Sequence, residues 1–225
     1  MPAYSSKQLY GNQIKTTFDL TDNIAFQIAY HPFDDEGVVI KQRPNGSHID
    51  MMVETEDTIK LYEIKVRTMI TEKKTPYETL ELPSKKHTLV YGEYQDFISD
   101  FRNTYGKQVE CYYICPMISN CDGYNNKAFI VPLEYVNDCP TIVKPRNKYT
   151  AGSNETIQRG EKQIQWNDCE VVDCDTSNYF RYVVKGYEKY KDNIKFDTER
   201  DETDWLKKLE EYKYYLNNGI ETKYK

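Results

Sequence analysis

Two carboxylates and a lysine sit on neighbouring strand-like stretches of this chain. Asp50 lies in Ile49–Val53, and Glu63 and Lys65 lie in Thr58–Val66. Strand interiors are poor places for charge, because an ionised group loses its water and needs a partner in return. Side chains alternate across a strand, so Glu63 and Lys65 point to one face. A tight connection over Thr55–Thr58 predicts a hairpin with Asp50 directly opposite Glu63. Two carboxylates at that range repel unless one binds a proton or a cation intervenes; Lys65 relieves part of this, and a divalent metal would relieve the rest.

Hard carboxylate oxygens suit Mg²⁺ or Mn²⁺, with the Ile64 backbone carbonyl as a further ligand and water or substrate phosphate completing the shell. Such a metal polarises a phosphate and acidifies a bound water, while a lysine orients or helps deprotonate the nucleophile and offsets developing negative charge. The competing reading is an exposed face of an antiparallel sheet, merely decorated with alternating charge. Apolar residues stand on both sides of the strand: Tyr62, Ile64 and Val66 on one, Ile59 and Leu61 on the charged one. That pattern predicts an interior strand, where Glu63 and Lys65 are costly unless they work together.

The elements needed to position these groups are legible in outline. Asp19 or Thr21 is the predicted cap of a helix running to about Tyr30, with Ile24, Phe26, Ile28 and Ala29 as its apolar surface and Pro32 beyond its end. Val38–Arg43 reads as a strand, followed by the 49–53 and 58–66 hairpin. Residues 67–83 are polar, contain Pro76 and Pro83, and read as a loop or flap. Ser84 is a predicted N-cap for a helix over 85–105, ended by Gly106. Strands are predicted at 109–115 and 127–133, and a long connection over 138–163, where Pro140, Pro145, Gly152 and Gly160 fall. A short strand at 170–172 and a Tyr-rich helix near 179–191 follow. A final helix over 201–216 would set Trp205, Leu209, Tyr212 and Leu216 on one face. The predicted class is therefore α/β: a central mixed β-sheet flanked by helices, with a C-terminal helical extension. The predicted division is a core over 1–137 and an extension over 138–225 that packs on the core, dimerises or sets specificity.

Asp50, twelve intervening residues and then Glu63-Ile64-Lys65 resemble the motif of the PD-(D/E)xK nuclease superfamily, which includes restriction endonucleases and Holliday-junction resolvases. Its restriction-endonuclease-like core is a helix, a three-stranded antiparallel meander, a helix and a further strand, and the elements predicted over about 19–135 follow that order. The resemblance implies metal ligation by Asp50 and Glu63 and a catalytic role for Lys65. It departs from the common pattern in two places. Ile49 stands where a proline often precedes the aspartate, and the first helix offers Asn23 and Gln27 where many members contribute a glutamate. Gln27 is thus an accessory candidate. So is His31, because some viral relatives use a histidine ligand near the first helix. His48 shares the strand face of Asp50, within reach of a phosphate or a water.

The implied activity is a Mg²⁺-dependent endodeoxyribonuclease, with DNA as partner. An endoribonuclease and a catalytically inactive nucleic-acid-binding or interaction module are the alternatives. A formal net charge of −6 argues against a protein that coats nucleic acid non-specifically, but a local basic excess surrounds the motif. Arg67, Lys73, Lys74, Lys85 and Lys86 are the candidate nucleic-acid contacts, the last two at a predicted helix N-terminus, which favours anions. Among the 21 tyrosines, Tyr112, Tyr113, Tyr179, Tyr182, Tyr187 and Tyr190 are candidates to stack bases, with core or interface packing as the alternative for most of them. Cleavage of two strands would call for a homodimer, through the C-terminal helix. Six cysteines without a tight Cys-x2-Cys pair read as buried free thiols rather than a zinc site. No apolar run is long enough to span a bilayer and no apolar signal core opens the chain, so the expected location is the cytoplasm.

Overall fold

The protein is described from a computed structural model over residues 14–33, 38–42, 49–70, 79–83, 94–147 and 156–220. The first helix, α1 (Thr17–Ala29), has its N-cap three residues before one predicted cap, Asp19, and five before the other, Thr21. Thr16 is the N-cap: its hydroxyl accepts the Asp19 N–H at 3.0 Å, and the Asp19 carboxylate accepts the Thr16 N–H at 2.9 Å. Asp19 is therefore the third helical residue of a capping box, the far half of the motif rather than its start. Next come β1 (Val39–Gln42), β2 (Met51–Glu54) and β3 (Thr58–Ile64), an antiparallel meander. Helix α2 (Tyr94–Tyr105) returns the chain so that β6 (Gln108–Ser119) lies parallel to β3.

The central sheet runs β1-β2-β3-β6-β7-β10, with β7 at Lys127–Pro132 and β10 at Glu170–Asp173. β4 (Arg67–Met69) also pairs with β6. Parallel and antiparallel neighbours mix in this sheet, and helices lie on both faces, as the sequence predicts for its class. One apolar cluster packs Tyr62 and Ile64 beneath α1, α4 (Tyr179–Tyr190) and α5 (Glu199–Asn218). The other packs Ile59 and Leu61 with Ile98 and Phe101 of α2 and with Leu133 and Val136 of α3 (Leu133–Asp138). Both faces of β3 are thus covered, which is why it reads as apolar on both sides.

Two predicted loops contain strands. The 67–83 stretch holds β4 and β5 (Thr79–Pro83), and the 138–163 connection holds β8 (Thr141–Asn147) and most of β9 (Thr156–Gln165). β5, β9 and β8 form a separate three-stranded antiparallel sheet. Two of the prolines that suggested loops sit on its outer strands: Pro83 ends β5, and Pro145 lies in β8. An edge strand leaves one row of N–H groups unused, so a missing donor costs little there.

The C-terminal segment is joined to the sheet through β10, which pairs with β7, and through α4, which packs against α1. On α5, Trp205, Leu209 and Tyr212 are buried as the period predicts, but Tyr215 takes the fourth place and Leu216 is 38% exposed. Phe180 of α4 meets the Tyr212 and Tyr215 rings at 4.7 and 5.1 Å between centroids. Where α4 crosses α1, Gly186 lets the helices close: a Cβ there would stand 2.7 Å from Leu20 Cδ1. Leu20 is wholly buried and has little room to move. Gly186→Leu is therefore expected to lower stability by about 2–3 kcal/mol despite leucine's better helix propensity, measured as a lower urea midpoint with unchanged slope.

Candidate active site

The 55–58 turn closes on itself: Thr55 N–H donates to the Thr58 carbonyl at 2.9 Å, and Thr58 N–H donates to the Thr55 hydroxyl at 3.2 Å. From there the β2–β3 ladder runs Glu54↔Ile59 to Met51↔Tyr62. Asp50 falls one residue short of it, in a bend, and its N–H donates to the Tyr62 carbonyl at 3.0 Å, out of step with the ladder by one residue. The plain cross-strand pair that the turn length predicts is thus replaced by an offset. Its consequence is local: Asp50 Oδ2 accepts the Ile64 N–H at 2.7 Å, tying the carboxylate to the last residue of β3.

A second irregularity faces it. β3 and β4 run along β6 in one register, Ile64 against Ile114 and Arg67 against Met117. The two residues between them, Lys65 and Val66, lie opposite Cys115 and Pro116. Lys65 N–H still reaches the Ile114 carbonyl at 2.9 Å, but Pro116 has no N–H to give back. The ladder opens there, and the Lys65 side chain emerges at the same end of the sheet as Asp50.

Glu63 and Lys65 form an ion pair, Oε1 to Nζ, with side chains only 13% and 29% exposed. Burial pushes the Glu63 carboxyl up to about 7; Lys65 opposes the rise, and Asp50 and, more weakly, Asp22 add to it. Asp50 is also raised, by burial first, against the Ile64 amide and Lys65, which both lower it. Burial works against the charge on Lys65, yet Glu63 and Asp50 outweigh it and hold the amine above its ordinary value. With these neighbours Lys65 is an ammonium, suited to orienting and neutralising oxygen charge rather than to taking a proton.

The sequence reading missed Asp22. It lies on α1, open to solvent on its outer side, and partial burial followed by the charge of Asp50 lifts it to about 6, against the pull of Lys65. α1 therefore does contribute a carboxylate to this corner, from the position next to Asn23. Asp22 lies seven residues before the wholly buried Ala29, on one helical face with it, which turns it towards the sheet.

The other candidates fare differently. Gln27 is half-buried on α1, and five residues from Asp22 turns it well round the helix. His31 is exposed in a short 3-10 turn after α1, stacked on Tyr30 at 6.1 Å and about 13 Å along the helix from Asp22. Arg67 is half-buried at the start of β4 and acts on Lys65 as a like charge. His48, Lys73, Lys74, Lys85 and Lys86, and the predicted cap Ser84, lie outside the described residues. All six cysteines are free thiols, five of them buried.

Among the described residues no three His, Cys, Asp or Glu side chains form a ready-made metal cage. Mg²⁺ does not need one, since it binds through one or two carboxylates and keeps several waters. Asp50, Glu63 and the Ile64 carbonyl are hard oxygen donors, and the raised proton affinities of the two carboxylates mark a place where positive charge is wanted. The donor set fits that cation.

No family model matches the chain, and no curated protein matches it. Among solved structures it is similar to Hjc of Archaeoglobus fulgidus, a Holliday junction resolvase from an archaeal hyperthermophile. Identity is 11% over 63% of this chain and 88% of that chain, with a TM-score of 0.31. At that score the likeness decides nothing about function.

Metal-free protein should lose stability as pH rises from about 4.5 to about 7. Across that window the folded state holds a proton on Glu63 that the unfolded chain has released, so the slope of stability with pH is negative. Glu63→Gln is expected to flatten this part of the profile and to stabilise the metal-free protein above pH 7, on the order of 2 kcal/mol. Chemical denaturation at pH 5, 6, 7 and 8 with a chelator present measures it, and an unchanged slope in the variant would contradict the assignment.

Proposed function

We propose that this chain is a divalent-metal-dependent endonuclease of PD-(D/E)xK type that hydrolyses phosphodiester bonds in DNA. The observation that carries the reading is the convergence of Asp50, Glu63 and Lys65 at one end of an interior strand, with Asp22 of α1 in their electrostatic field, where the burial of the two strand carboxylates is a cost that structure alone does not require.

Asp50, Glu63 and the Ile64 carbonyl would hold Mg²⁺ or Mn²⁺. When bound, that cation supplies Lewis-acid polarisation of the phosphate and a water acidified for attack. The chain's own groups do the rest. The Ile64 N–H fixes one oxygen of Asp50, so the carboxylate meets its ligand without having to be ordered first. Lys65 carries a full positive charge, which offsets the negative charge that grows on the phosphate oxygens. Asp22 adds a carboxylate whose proton affinity lies near neutrality, suited to receiving a proton from the attacking water.

Incubation of supercoiled plasmid, linear duplex and RNA with the protein, with and without Mg²⁺, tests the reading. Wild type is expected to cleave DNA only with the metal. Lys65→Ala and Asp50→Asn are expected to lower the rate by about a hundredfold or more, while calorimetric heat with Mn²⁺ disappears in Asp50→Asn. Cleavage of RNA alone would move the assignment to an endoribonuclease. Equal activity in all three proteins, with no heat on adding Mn²⁺, would leave a binding module.

A further inference from the structure

One face of α1 carries Ala29, Ala25, Asp22 and Phe18 in succession, at spacings of four, three and four residues. Ala29 is wholly buried and Ala25 partly so, where the helix lies close on the core. One turn further towards the N-terminus the face reaches Asp22, within the electrostatic field of Asp50 and Lys65. The next turn presents Phe18, which is 77% exposed. A helix that buries its other large apolar side chains leaves this ring in water, about 6 Å from Asp22 along the axis. No other ring among the described residues stacks on it.

The same corner carries two lysines, alongside the Asp19 carboxylate that accepts the Lys15 and Thr16 N–H groups at 3.1 and 2.9 Å. Lys195 N–H donates to the Lys15 carbonyl at 2.9 Å, so the two residues are tied together at the start of α1. Both are exposed, and neither ammonium is paired among the described residues. An open aromatic ring three residues from Lys15, with Lys195 tied to Lys15 through the main chain and a carboxylate of the candidate site one helical turn away, supplies what a nucleotide requires: stacking for the base and charge for its phosphate.

Resting on the nuclease reading, we propose that Phe18 is a base-stacking platform for a nucleotide adjacent to the cleaved bond, with Lys15 and Lys195 holding its backbone. The substrate class follows from the geometry of stacking. A paired duplex shows only base edges in its grooves, whereas a ring needs the face of a base, and faces are free only at unpaired nucleotides. The preferred substrate therefore carries an unpaired nucleotide at the cleavage point, as at an overhang, flap, bulge or branch. Phe18 sets this preference and does not touch the reacting atoms.

The test compares a labelled DNA duplex bearing a short single-stranded overhang with the same duplex fully paired. Binding is measured on an Asp50→Asn background and cleavage on the otherwise wild-type chain, so that the two readings fail separately. The overhang is expected to bind about tenfold tighter, Phe18→Ala to remove that preference without weakening paired-duplex binding, and Phe18→Trp to retain it. Equal binding of the two duplexes, no effect of Phe18→Ala, or an equal loss on both would overturn the proposal. If the preference depends on Phe18 while nothing is cleaved, the platform stands and the nuclease reading falls. If DNA is cleaved with no dependence on Phe18, the platform alone falls. Failure to bind either duplex overturns both.

Discussion

Negative charge held out of water at the end of β3 is the constraint on which the rest of this structure turns. Glu63 is nearly buried, Asp50 lies beside it, and both are pushed towards their protonated forms by lost hydration. One ammonium, Lys65, stands against them. Such an arrangement opposes folding, and it persists because β3 has no freedom to turn these residues outwards. It is hydrogen-bonded to β2 on one side and to β6 on the other, with an apolar cluster on each face. Slipping the register by one residue would exchange the side chains that β3 presents to the two clusters, forcing Ile59 and Leu61 into the packing of Tyr62 and Ile64 and the reverse. The cost of burying the charges is set against the larger cost of breaking the core.

The irregularities of the sheet are concentrated where these charges lie. Asp50 leaves the β2 ladder by one residue and gains the Ile64 amide. Pro116, in the middle of an otherwise long and regular strand, withholds the N–H that would have continued the ladder beyond Lys65. A uniform sheet would have satisfied its main chain here and left no room for side chains to converge. Bends and missing donors next to a cluster of charged groups are a recurrent way to redirect side chains at functional sites.

α1 serves two surfaces at once. Leu20 and Ile24 close against Gly186 of α4, which fixes the helix over the sheet. The opposite side runs from Ala29 to Asp22 and on to Phe18, from the core to the candidate site to solvent. Because one rigid helix carries both, the position of Asp22 relative to Asp50 is set by packing some distance away. The C-terminal helices therefore bear on the site's geometry, and Tyr179 at the start of α4 lies within the electrostatic field of Asp22.

Much of this was determined by local sequence. Apolar residues on both faces of Thr58–Ile64 marked an interior strand, the four-residue turn set the hairpin, and Glu63 and Lys65 had to share a face because strand period leaves no choice. The meander, the α2 crossover and the final amphipathic helix follow from the same periodicities. Tertiary structure decided what periodicity cannot express. Pro145 belongs to a strand because that strand lies at an edge, a property of its neighbours and not of its own residues. The Asp50 offset depends on a hydrogen bond between residues fourteen apart. Asp22 reads in sequence as one more polar residue on a helix, and joins Asp50 and Lys65 only because Leu20, Ile24 and Gly186 seat that helix at one height and rotation over the sheet. Short-range rules fix which face a side chain takes. Long-range packing fixes which other side chains it meets there.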